Sequence, residues 1–228
     1  MTTAEVMKKL ESLGTAQNRK VYARHGAAPE STFGVSFAEL FKLQKAIKRD
    51  QPLALELWDT GNNDARSLAT LIADPQQMRA KDLDRWVNEV NVYGLADLIA
   101  RHVASQSPHA RKKAEAWSKS KQEYVGQTGW DLIGMLAMYD ASLPDSYVEE
   151  HLRVIERDIH RSKNRVRHAM NGVLIGIGMR NQKLRKLALA AAGRIGKVEV
   201  DHGETGCKTP DAAAYIQKAA GRAKNSGR

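Results

Sequence analysis

The stretch Arg165-Val-Arg-His-Ala-Met-Asn-Gly-Val-Leu-Ile-Gly-Ile-Gly178 decides the fold. Val166, Met170, Val173, Leu174 and Ile177 recur three and four residues apart, which on a helix places them on one face. Gly172, Gly176 and Gly178 lie inside that pattern. A dinucleotide-binding fingerprint needs its glycines in a turn after a strand. Glycines inside a helical stripe are read instead as places where a neighbouring helix comes close. Gly126 and Gly129, which flank Thr128 ahead of Trp130, are read as letting a helix or a ligand approach.

The same spacing continues outward from this segment. Leu184, Leu187, Ala188 and Ala191 follow it, and Val148, Leu152, Ile155 and Ile159 precede it. Earlier stripes are Phe37, Leu40, Phe41 and Ile47; Ala65, Leu68, Ala69 and Ile72; and Leu83, Trp86, Val87 and Val90. No run alternates in the manner of a half-buried strand, and only Lys197-Val-Glu-Val-Asp201 reads as extended. Short breakers at 26–29, 60–63, 74–75, 106–108, 142–145 and 180–182 separate the stripes, with Asn63 or Asp64, and Asn181, as helix-starting side chains. Connections this short make consecutive helices antiparallel neighbours. About twelve such helices are too many for one bundle core, and the expected fold is all-α: an α-solenoid of antiparallel pairs with a repeat near the roughly 40 residues of HEAT-type pairs. A single domain is expected over residues 1–228, with N-terminal helices in 1–30, a repeat core in 31–196, and a loop with one short helix near Ala212 to Ala220 in 197–228.

Charge is concentrated in the same region. The 228 residues carry 36 Lys and Arg against 26 Asp and Glu, a formal charge of +10. Residues 151–197 hold twelve of those cations and two acids, Glu156 and Asp158, while the rest of the chain is balanced at 24 and 24. One folded block therefore carries the net field, which suits an extended anion such as nucleic acid. Arg161, Lys163, Arg165 and Arg167 gather at the start of one helix, and Lys183, Arg185 and Lys186 at the start of the next. If alternate helices line one concave face, these charges form a groove for phosphates.

Other classes are excluded or left without support. With 42% hydrophobic residues the chain can bury a core. No apolar run approaches the roughly 20 residues of a membrane span; the longest, Met170 to Met179, contains three glycines and an asparagine. Met1 to Gly14 reads as an amphipathic helix and not as a secretory leader. The single cysteine, Cys207, makes neither an internal disulfide nor a multi-thiolate metal site, so a cytoplasmic location without membrane attachment is expected. Asp201, His202, Glu204 and Cys207 include the common metal ligands, but their spacing matches no closed zinc pattern. They are read as a structured loop held by Asp201 and Thr209; no metal and no cofactor is assigned.

One constellation points to chemistry. Tyr93 and Asp97 are four residues apart and share a helix face, and Trp130 lies mid-way along a long central segment. An aromatic face with a carboxylate suits a cationic group, because the ring quadrupole and the carboxylate both attract positive charge.

The segment Thr32-Phe-Gly-Val-Ser-Phe-Ala-Glu-Leu-Phe-Lys-Leu43, then Leu55-Glu-Leu-Trp-Asp-Thr-Gly-Asn-Asn-Asp-Ala-Arg66-Ser-Leu-Ala-Thr-Leu-Ile-Ala-Asp-Pro75, then Val166 to Gly178, resembles in this order the DNA alkylation repair family, the AlkD-like HEAT-repeat DNA glycosylases. The resemblance covers roughly residues 30 to 195. It implies a C-shaped solenoid whose basic concave face holds alkylated duplex DNA, acting as a monomer and associated with the nucleoid when bound. It also implies hydrolysis of the N-glycosidic bond of cationic N3- or N7-alkylated purines. Asp97 would then be the catalytic carboxylate, Tyr93 and Trp130 the substrate-pocket aromatics, and Arg66, Arg161, Lys163, Arg165, Arg167, Lys183, Arg185 and Lys186 the DNA-binding residues. The sequence departs from the family where Tyr93 replaces a Trp, where Gly172 stands at a second pocket Trp, and near Tyr124 or Val125, where a basic residue is usual. The alternatives are a non-catalytic nucleic-acid binder with a decayed site and a protein-interaction solenoid with an acidic partner.

Overall fold

A computed structural model describes residues 1–226 of the chain. Those residues form thirteen α-helices and no strand: α1 (Thr3–Leu13), α2 (Ala16–Arg24), α3 (Phe37–Ile47), α4 (Gln51–Asp59), α5 (Asn63–Ile72), α6 (Ala80–Asn88), α7 (Tyr93–Leu98), α8 (Ala110–Trp117), α9 (Glu123–Tyr139), α10 (Asp145–Asp158), α11 (Asn164–Arg180), α12 (Gln182–Ile195) and α13 (Ala212–Ser226). The all-α expectation holds. Lys197 to Asp201 is irregular, and the last helix runs further than expected. Among the described residues no helix is long and apolar enough to cross a membrane.

Polar side chains set the helix starts. Thr2 and Glu5 form a reciprocal capping box on α1. Asp50 accepts from the Leu53 N–H at 3.1 Å, with Pro52 in the first turn of α4. Asn62 caps α5, accepting from the N–H groups of Asp64 and Ala65 at 3.0 and 3.1 Å, so the starter is one residue ahead of the expected Asn63 or Asp64. Asn181 starts α12 as expected, accepting from the Leu184 N–H at 2.9 Å.

The chain forms two compact units, one of Met1–Ala110 with His202–Thr205, the other of Arg111–Asp201 with the segment from Gly206 onward. In the first unit α4 and α5 are antiparallel: the Asp50 N–H at the start of α4 bonds the Ile72 carbonyl at the end of α5 at 2.9 Å. At the other end, Arg66 Nε donates to the Trp58 carbonyl at 3.2 Å. The ends of α4 and α6 meet where Trp58 stacks on Trp86, centroids 4.3 Å apart and planes within 7°. Arg66 closes this corner, its guanidinium 4.9 Å above the Trp58 ring and bonded to the Glu89 carbonyl at 3.0 Å. Trp58 Nε1 donates to the Glu89 carboxylate at 2.7 Å.

In the second unit α9 and α11 run side by side in the same direction. A Cβ on Gly126 would lie 3.0 Å from Val166, one on Gly134 3.4 Å from Val173, and one on Gly176 3.3 Å from Met138. α11 returns through α12, with Arg185 Nε donating to the Gly178 carbonyl at 3.2 Å near one end and His160, just before α11, bonding the Ile195 carbonyl at 2.8 Å near the other. α12 also lies along α10, joined by Lys183 to Glu149 at one end and Arg194 to Glu156 at the other. Antiparallel pairs thus repeat with alternate helices parallel.

The close-packing reading of the glycines holds, with one exception. A Cβ on Gly129 would fall 2.1 Å from the Ser118 backbone nitrogen, and one on Gly178 2.5 Å from Ile216, whereas one on Gly172 meets nothing within 4 Å among the described residues. Gly129→Ala should therefore lower stability by about 1–3 kcal/mol, since backbone cannot move aside cheaply. Gly172→Ala should raise it by up to about 1 kcal/mol through helix propensity. Urea denaturation of both variants checks this; equal effects would contradict it. Arg66→Ala removes the side-chain donor to the Glu89 carbonyl and one of the donors to the Trp58 carbonyl, and should lower stability by about 2 kcal/mol in the same assay.

Candidate nucleic-acid interface

Tyr93 opens α7, and Asp97 follows one turn later as an exposed residue. Tyr93 lines a cavity of about 250 Å³ in the first unit, bounded by α2, α3, α5 and α7. Its hydroxyl is hydrogen-bonded to His25 Nδ1, and the two rings lie 5.9 Å apart at 51°. Nearby, the Tyr22 hydroxyl donates to the Val35 carbonyl at 2.6 Å. After Leu98 the helix widens into a π turn over Ile99–Val103, a distortion often found beside functional residues. Within this turn His102 is more than half buried, and burial holds its pKa below the usual imidazole value.

Asp64 also borders this cavity, but its carboxylate is already committed. It accepts from the backbone N–H groups of Phe33, Gly34 and Val35 at 2.6, 3.1 and 2.9 Å, tying the link before α3 to the start of α5. Burial pushes its pKa up, and the three N–H donors pull against that shift. Asp64 is an anchor of the cavity wall, whereas Asp97 is exposed.

Trp130 belongs to the second unit. It is 3% exposed in α9, and its ring meets the edge of His151 at 5.9 Å; Tyr147 packs against His151 at 4.4 Å. Trp130, Arg161 and Lys163 line one pocket of about 860 Å³, so three residues selected from the sequence share a surface. Arg161 pairs with Asp158 at 3.2 Å while 74% of its side chain stays exposed.

The remaining cations divide into inward and outward groups. Arg167 is spent on structure, donating to the carbonyls of Glu199 at 2.8 Å and Ser162 at 3.0 Å. With Asn164, whose side chain bonds the Asp201 backbone in both directions, it fixes the irregular 197–201 segment. Arg185 likewise holds the Gly178 carbonyl, and Arg66 holds the Trp58 corner. Arg165 is half-buried at the start of α11, where its N–H donates to Glu123 at 2.7 Å. Lys163 and Lys186 are exposed, and Lys183 keeps 68% of its side chain exposed while pairing with Glu149 at 2.7 Å.

Sequence reasoning reads Asp64 only as a helix starter and passes over His25, Tyr147 and His151. The last two were findable, since residues 147 and 151 are four apart on an amphipathic helix, as Tyr93 and Asp97 are. His25 lies 68 residues from Tyr93, and no local spacing joins them.

Comparison with known proteins extends this picture over nearly the whole chain. The family model described as DNA alkylation repair enzyme matches residues 6–216. An uncharacterized protein of Listeria innocua is 28% identical over 224 residues, covering 94% of this chain and 95% of the relative. One of Listeria monocytogenes is 27% identical over 226 residues, covering 95% and 96%. A solved structure, from a new family of proteins related to the HEAT-like repeat DNA glycosylases with affinity for branched DNA structures, superposes with a TM-score of 0.89 at 33% identity. That match covers 98% of this chain and 95% of the other. The antiparallel helix pairs are therefore HEAT-like, and the chain belongs to the DNA alkylation repair enzyme family.

Proposed function

We propose that this protein binds DNA through exposed cations of the second unit, with branched DNA among its targets. The observation that carries this reading is the separation of the cations. Arg161 and Lys163 stand before α11, and Lys183 and Lys186 follow it, so the two groups are divided by a seventeen-residue helix, about 25 Å long at helical rise. A small anion reaches one group; a polyanion reaches both. The affinity for branched DNA of the structural relative supports the choice of polymer.

Base excision is a second reading, favoured by Asp97 standing exposed one turn from Tyr93. An N3- or N7-alkylated purine already carries positive charge and leaves with little acid assistance. A carboxylate then suffices to stabilise the oxocarbenium-like sugar and orient water, with the Tyr93 ring beside it.

Binding to duplex and forked DNA should weaken steeply with salt. Lys183→Ala with Lys186→Ala should reduce the slope of log affinity against log salt by roughly 2, if each lysine neutralises one phosphate. Fluorescence anisotropy measures this, and an unchanged slope would remove α12 from the interface. For excision, release of N7-methylguanine from duplex DNA is compared between the protein and Asp97→Asn. Release above the uncatalysed rate that disappears in the variant supports the second reading, and background release by both sinks it without touching the first.

A further inference from the structure

We propose that the pocket at Trp130 is a nucleotide site, in which a nucleobase rests against the Tyr147 and His151 side of the pocket and its phosphate is held by Arg157, Arg161 and Lys163. The site belongs to the second unit alone and is separate from the Tyr93 cavity. It deepens the DNA-binding reading and rests on it only for the source of the nucleotide.

The pocket measures about 860 Å³, within the range of small-ligand sites. One wall is aromatic. His151 packs between Tyr147 at 4.4 Å and Trp130 at 5.9 Å, and the Arg111 guanidinium lies 4.9 Å from the Tyr147 ring centre. His151 Nδ1 sits 2.8 Å from the Tyr147 carbonyl, which can only accept, so Nδ1 carries the proton and Nε2 is the ring nitrogen left for a ligand. Tyr147 is 9% exposed, yet its buried hydroxyl has no hydrogen-bond partner among the described residues. Burial, reinforced by Glu115, pushes its pKa up to about 12, so the phenol stays a neutral donor.

The end of the pocket towards α11 is cationic. Arg157 and Arg161 share one carboxylate, Asp158, at 2.6 and 3.2 Å, and 66% and 74% of their side chains remain exposed. Lys163 and two further lysines, Lys119 and Lys121, outweigh the acids Glu115 and Glu150. A bare phosphate would use only this end, and an uncharged aromatic only the wall. A planar ring with polar edges, linked to a phosphate, uses both. That unit is supplied either by a free nucleoside monophosphate or by an unpaired nucleotide at a DNA branch.

The test measures deoxyadenosine monophosphate by calorimetry, and forked and fully paired duplex DNA by anisotropy, against the protein, His151→Ala and Tyr147→Phe, with thermal melting to confirm folding. His151→Ala should weaken binding of at least one nucleotide source by about tenfold, with fully paired duplex changed by less than about twofold, and Tyr147→Phe should act in the same direction. Loss confined to forked DNA identifies a branch nucleotide; loss of the monophosphate identifies a free one. A protein that binds the monophosphate through His151 but no DNA would end the DNA-binding reading and keep the pocket. Folded variants that leave monophosphate and forked DNA unchanged, or weaken forked and paired DNA equally, overturn the proposal.

Discussion

The packing of α9 against α11 is the constraint on which the second unit depends. Two seventeen-residue helices lie side by side with glycines at Gly126, Gly134 and Gly176 facing Val166, Val173 and Met138. Their side chains could not all be larger without separating the axes, because helix spacing is set by residues at the contact. Val173, Leu174 and Ile177 are consequently buried at 1% exposure or less. With the middle of α11 committed to the core, its charges can stand only near its ends. That is why a basic block continuous in sequence becomes two groups in space.

This division separates cations that hold the protein together from cations that can hold a ligand. Arg66, Arg167 and Arg185 direct guanidinium donors at backbone carbonyls, where planar, many-pronged geometry is an advantage. Exposed Lys163 and Lys186 have no such geometry to fulfil. Arg161 is intermediate, paired with Asp158 yet largely exposed, and its side chain also faces the Trp130 pocket. Charge, aromatic wall and buried phenol therefore line one pocket that runs along α10 to the turn before α11.

The fold was legible because spacing and breakers are local. The stripe Val166, Met170, Val173, Leu174 and Ile177 is buried, and Asn181 caps the helix it was assigned to. Phe37, Phe41 and Leu187 follow the same spacing but are 42%, 42% and 39% exposed. Periodicity shows which residues share a face, and not whether another element covers it. The sites were less legible for a related reason. Composition counts guanidinium groups without saying where their donors go: those of Arg66 reach the Trp58 and Glu89 carbonyls and the Glu89 carboxylate, and those of Arg167 reach the Glu199 and Ser162 carbonyls. The Tyr93 to His25 bond and the grip of Asp64 on residues 33–35 join distant segments, and no local pattern announces either.

Hydrogen–deuterium exchange of the whole chain, with and without a forked duplex at low salt, tests the central claim most directly. The account predicts slowed exchange over residues 161–167 and 182–187, on both sides of α11, with α5 and α6 of the first unit unchanged. Protection confined to the first unit, or none at saturating DNA, would contradict it.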